Sequence, residues 1–202
     1  MFFRKDPNVQ AFLEFVKQEC KKHKVKLVLR KVKYLKLDKT IKCGGYFDSE
    51  NRELVVATKN EDTWLPLLVH EFAHLTQWVD DCEPWAKGAT GLNYVEEWLS
   101  GKKIRNIKKY LGLSRDLELD NEKRSVKLIK KWNLPIDIED YIKRANAYVQ
   151  FYNYMYYSRK WCKPGNSPYR NKAIYEAMPS SFRMNYKTMA DKYVRIYKEQ
   201  NI

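Results

Sequence analysis

Two of the chain's three histidines stand four residues apart in His70-Glu71-Phe72-Ala73-His74. On a helix that spacing projects both imidazoles from one face, close enough to share a zinc ion. A glutamate next to the first histidine can then take a proton from a water held at the ion. The pattern is H-E-x-x-H, and the chemistry it offers is hydrolysis by activated water. A catalytic zinc usually takes three protein ligands and keeps one position for water, so a third ligand must come from elsewhere in the chain.

Asp80 and Asp81 follow in sequence but fit poorly. If the helix continues past His74, Asp80 points about 240° away from that histidine, and Asp81 sits roughly 10 Å further along the axis. The stretch Leu117-Glu118-Leu119-Asp120-Asn121-Glu122 offers better candidates. Leu119, Val126 and Ile129 mark a buried helix side, and Glu122 falls between them. A carboxylate within an apolar stripe is costly unless it is paired or bound to a metal. Glu122 is therefore the expected third ligand. Glu118, about one turn away, is the alternative, or a partner that orients a histidine. Glu96, Glu97 and Glu176 have weaker context. A tyrosine or His23 could serve as a second electrophile.

The elements that must position these groups can be read from periodicity. Asp6-Pro7 starts a helix running to about Lys22, with Val9, Phe12, Leu13 and Val16 on one side. Val25 to Val32 reads as a strand, and Lys33 to Cys43 is ambiguous. Gly45–Phe47 and Glu53–Ala57 form a hairpin about an Asp-Ser-Glu-Asn turn. The metal helix follows, capped by Asp62 or Thr63, with Pro66 in its first turn and a narrow apolar stripe of Leu68, Phe72, Leu75 and Val79. Histidines and core stripe lie on nearly opposite faces.

Asp80 to Gly91 has loop composition. Short helices are expected over Leu92 to Ser100, closed by Gly101, and Lys103 to Leu111, closed by Gly112. Ser114 would cap a longer helix from Arg115 to about Trp132, and Asp137 another from Ile138 to about Arg159, rich in tyrosines that pack as core and rim. A loop follows over Trp161 to Pro168. Helices over about Tyr169–Ala177 and Tyr186–Lys198 then finish the chain. The expectation is one α+β domain over 1–202, with the N-terminal helix and small twisted sheet in 1–61 and the helical, metal-binding part in 62–202.

A chain of 202 residues can bury a core of ordinary size. The net charge of +14, from 39 Lys+Arg against 25 Asp+Glu, favours weak association with nucleic acid, although the charge is spread along the chain. No cysteine pair has C-x-x-C spacing, so a cysteine zinc ribbon is unsupported and free thiols are expected. The N-terminal residues lack an apolar signal segment, and no apolar run is long enough to span a membrane. The expected setting is cytoplasmic.

With its H-E-x-x-H helix after a small sheet, and a glutamate-bearing helix beyond, the chain resembles the zincin metallopeptidases. In metzincins a glycine three residues after the second histidine turns the chain; Gln77 stands there instead, which argues against that branch. The resemblance is to gluzincins, especially minigluzincin-like small metallopeptidases inferred from bacteriophage and bacterial genomes. It implies a zinc-dependent peptidase with His70, His74 and Glu122 as ligands. Glu71 would be general base to a zinc-activated water, and peptides or proteins the substrates. Glu122 lies 48 positions after His74, further than in compact gluzincins, so the intervening helices would be an insertion. The alternatives are a catalytically silent zinc-containing protein that binds nucleic acid or regulates, and a hydrolase of non-peptide amides or esters.

Overall fold

A computed structural model describes residues 5–36, 42–163 and 165–202. The expectation for residues 1–4 at the N-terminus, and those for residues 37–41 of the ambiguous stretch and for Pro164, lie outside the described residues. The chain is α+β, and its packing divides into two units: Met1–Asp81 with Arg124–Ile136, and Cys82–Lys123 with Asp137–Ile202.

In the first unit, α1 (Pro7–Lys22) begins where expected, because the Asp6 carboxylate accepts from the backbone N–H groups of Asn8 and Val9 at 2.8 and 3.2 Å. Strands β1 (Lys26–Arg30), β4 (Gly45–Asp48) and β5 (Glu53–Ala57) form one sheet in the order β1-β5-β4; β2 (Leu35–Lys36) and β3 (Lys42–Cys43) form a small antiparallel pair. β5 is central and parallel to β1, so Leu54, Val55, Val56 and Ala57 are all buried. The β4–β5 turn is tied by Asp48, whose Oδ1 accepts from the N–H groups of Glu50 and Asn51, both at 2.9 Å.

Helix α2 (Trp64–Val79) packs on β4 and β5. Thr63 occupies its N-cap position without a side-chain capping bond. The buried surface is wider than a narrow stripe. Trp64, Leu65, Val69 and Ala73 join Leu68, Phe72 and Leu75 inside, whereas Val79 is 38% exposed. Phe72 packs edge-on against Phe12 and Phe15, and both phenylalanines meet Trp132, which follows α4 (Ile107–Lys131). Arg124, within α4, pairs with Asp80 and reaches the Thr76 hydroxyl at 3.4 Å. The last turns of α4 are thus part of the same unit as α2.

In the second unit, α3 (Glu83–Leu99) takes in Glu83 to Gly91 of the stretch expected to be a loop, and α4 is one helix where two were expected. A Cβ on Gly88 would lie 2.7 Å from Leu117 Cβ, and one on Gly91 would lie 2.9 Å from the Tyr110 carbonyl oxygen. These glycines bring two backbones together rather than turn the chain. Ser114 is inside α4, its hydroxyl donating back to the Tyr110 carbonyl at 3.1 Å instead of capping.

Helix α5 (Ile138–Ser158) starts at an Asp137 cap, whose carboxylate accepts from the Asp140 N–H at 3.0 Å, and ends at left-handed Arg159. Phe151, Tyr152, Tyr154 and Met155 enter a core with Tyr193 and Tyr197. The helices expected over Tyr169–Ala177 and Tyr186–Lys198 shorten to α6 (Lys172–Tyr175) and α7 (Asp191–Glu199). Before α7 the carbonyls are taken by side chains of α5. Asn146 donates to the carbonyls of Pro179 and Ser181, Gln150 to that of Asn185 and Asn153 to that of Tyr186, which fixes the segment before α7 in an irregular path.

Candidate metal centre

The H-E-x-x-H residues sit mid-helix on α2. The His70 and His74 ring centroids are 4.8 Å apart and mutually perpendicular. Gln77, one turn on and fully buried, places its Oε1 2.9 Å from His74 Nδ1. With the amide oxygen accepting, Nδ1 carries the proton and the lone pair belongs to Nε2, the arrangement that a metal-ligating imidazole needs. Sequence reasoning placed Gln77 only as the residue standing where a glycine turn would be. Its i+3 spacing from His74 is the signal for its orienting role.

Glu71 is 7% exposed and faces the sheet. A Cβ on Gly45 would come within 3.0 Å of Glu71 Cγ and 3.2 Å of its Oε1, so β4 passes directly over this side chain. A side chain at 45 would press on Glu71 and on the Val55 carbonyl oxygen, also 3.0 Å away. Cys43, just before β4, is a second neighbour. Burial first, then the Glu71 carboxylate, pushes its thiol up to about 11, against the lowering effect of the Gly45 N–H. It is therefore a neutral thiol near neutral pH. Among the described residues β4 pairs only with β5 in its sheet, and this edge strand runs beside Glu71.

Glu118 and Glu122 lie one turn apart on α4 and are both buried, at 6% and 5% exposure. Glu122 Oε2 accepts a 2.7 Å hydrogen bond from the Tyr141 hydroxyl of α5. Glu118 neighbours the phenols of Tyr148 and Tyr152, which are 3.3 Å apart. Burial, and after it the Glu118 charge, holds both phenols well above their ordinary pKa, so both remain proton donors. Glu96 and Glu176, the weaker ligand candidates, are exposed, and Glu97 on α3 accepts from Lys102 at 2.8 Å. His23, at the C-cap of α1, lies 3.6 Å from Glu19. The four cysteines are free thiols.

No helix among the described residues is long and apolar enough to cross a membrane. No family model, curated protein or solved structure matches the chain.

Proposed function

We propose that the chain is a zinc-dependent metallopeptidase in which His70, His74 and Glu118 hold the ion and Glu71 is the general base. The arrangement on α2 carries this reading: paired imidazoles, one of them oriented by a buried amide, with a buried carboxylate between them in sequence. Glu118 replaces Glu122 as the proposed third ligand. A Glu122 oxygen accepts from Tyr141, and Glu118, the alternative already offered by the sequence, takes its place in the proposal. Two neutral imidazoles and one carboxylate suit zinc, although the same donors accept other first-row ions.

When bound, the ion supplies Lewis acidity, polarising a carbonyl and bringing the pKa of water toward neutrality. Glu71 accepts the proton of the attacking water and passes it to the leaving amine. Gln77 keeps His74 in the correct tautomer throughout. Among the described residues β4 is an edge strand beside Glu71, which supports a peptide substrate, because an extended chain can add to such an edge through its backbone. The donor set by itself is equally compatible with hydrolysis of a non-peptide amide or ester.

The test is metal content by mass spectrometry together with hydrolysis of a peptide library, for wild type and Glu71→Gln. About one zinc per chain is expected in both, with activity about 10²–10⁴-fold lower in the variant. A wild type without metal, or a variant with full activity, would sink the reading.

A further inference from the structure

At the carboxyl ends of the parallel strands β1 and β5 lies an open cleft of about 550 Å³, lined by Arg30, Lys31, Lys33, Tyr34, Lys36 and Lys59 among others. Five of these residues are cationic and exposed, and among the described residues no acidic side chain lines the cleft. Tyr34 is 44% exposed, and the Lys42 ammonium sits 4.6 Å from its ring centroid, adding a sixth cation. Its backbone frame is tightly held. The Arg30 carbonyl accepts from the N–H groups of Val32 and Thr58 at 2.8 and 2.7 Å, and from the Thr58 hydroxyl at 3.2 Å. The Lys59 N–H donates to the Val32 carbonyl at 3.1 Å, which ties the two cation-bearing segments together. Leu35 is buried against Val55 and Ala57, anchoring the stretch that carries Tyr34 and Lys36.

We propose that this cleft binds single-stranded nucleic acid, its lysines and Arg30 following the phosphates while Tyr34 stacks on a base. Like charges gathered around one recess repel each other, and a polyanion relieves that repulsion while releasing its own counterions. An exposed aromatic ring among those cations adds a sequence-tolerant platform for a base, which an acidic peptide would not use. A single strand can use both the cations and the exposed Tyr34 ring, whereas an anionic membrane surface would use the cations alone, which favours the strand. The proposal is independent of the metal chemistry, and Glu71→Gln is expected to leave it unchanged.

The experiment is fluorescence anisotropy of a labelled 20-nucleotide oligothymidylate with the full chain across a salt series. Lys31→Glu/Lys33→Glu is expected to weaken binding about tenfold or more and to lower the salt slope by roughly one to two. Tyr34→Ala is expected to weaken binding about tenfold with the slope kept. The control, Lys187→Glu/Lys192→Glu, makes the same change in net charge at exposed lysines far away in sequence and is expected to change affinity less than threefold. Circular dichroism and thermal melting of each variant establish that it is folded. Equal weakening by the control, or no binding at low salt, overturns the proposal. So does capture by phosphatidylserine vesicles that depends on Lys31 and Lys33 when oligonucleotide binding does not.

Discussion

At the scale of single residues, the site depends on side chains that orient other side chains. Gln77 makes no contact with a substrate in the proposed mechanism, yet its Oε1 lies 2.9 Å from His74 Nδ1 and, by accepting there, leaves the Nε2 lone pair for the ion. Gln77→Ala should therefore weaken zinc affinity about 10–100-fold, measured by competition with a chromophoric chelator; unchanged affinity would mean that the ring is held by other contacts. The two glutamates of α4 separate by the same assay. Glu118→Gln should release the metal, whereas Glu122→Gln should retain it, because its amide oxygen can still accept the 2.7 Å hydrogen bond from the Tyr141 hydroxyl. Metal loss in Glu122→Gln and retention in Glu118→Gln would restore Glu122 as the ligand.

At the scale of elements, α3 and α4 show how one residue type carries opposite meanings. Lys87-Gly88-Ala89-Thr90-Gly91 has the composition of a loop, and Gly112 looks like a helix stop. Inside the fold, Gly88 and Gly91 serve close helix approach, whereas Gly112 faces open space, with only Arg115 Nη2 near its would-be Cβ, at 3.6 Å. Gly91→Ala should cost about 1–3 kcal/mol, because its Cβ would strike the α4 backbone. Gly112→Ala should instead stabilise by up to about 1 kcal/mol through helix propensity. Urea denaturation of the two variants checks both signs, and destabilisation by Gly112→Ala would contradict the open environment described. A local window cannot separate these glycines, since the difference lies in a partner at another place in the chain.

At the scale of the whole molecule, titratable groups buried in both units set an alkaline limit. Burial, and secondarily the Glu19 charge, pushes the Cys20 thiol up to about 12 from an ordinary 9.0, and burial pushes Cys162 to about 11. The folded state therefore prefers the neutral thiols more strongly than the unfolded chain does. Their contribution is complete below about pH 9 and is lost as pH rises through about 11 to 12. Tyr197, buried and raised well above the ordinary phenol value, acts in the same direction. Urea midpoints should fall from pH 9 toward pH 12, and Cys20→Ala should make that fall shallower. An unchanged slope would show that the thiol ionises equally in both states.

The sequence by itself determined the elements whose signals are local: α1 from its Asp-Pro cap, strand β5 and its turn, the α2 helix and the start of α5. It also put both histidines on one helix with Glu71 between them, because i, i+4 geometry needs no partner. Tertiary structure decided the rest. It showed that Val79 is exposed while Gln77 is buried against His74, and that β4 passes within close contact of Glu71 at Gly45. It merged the expected loop into α3 and the two expected helices into α4. It also placed a tyrosine on Glu122, a contact between residues 19 positions apart on different helices. Periodicity reports which face of an element is apolar, but only packing specifies what that face meets.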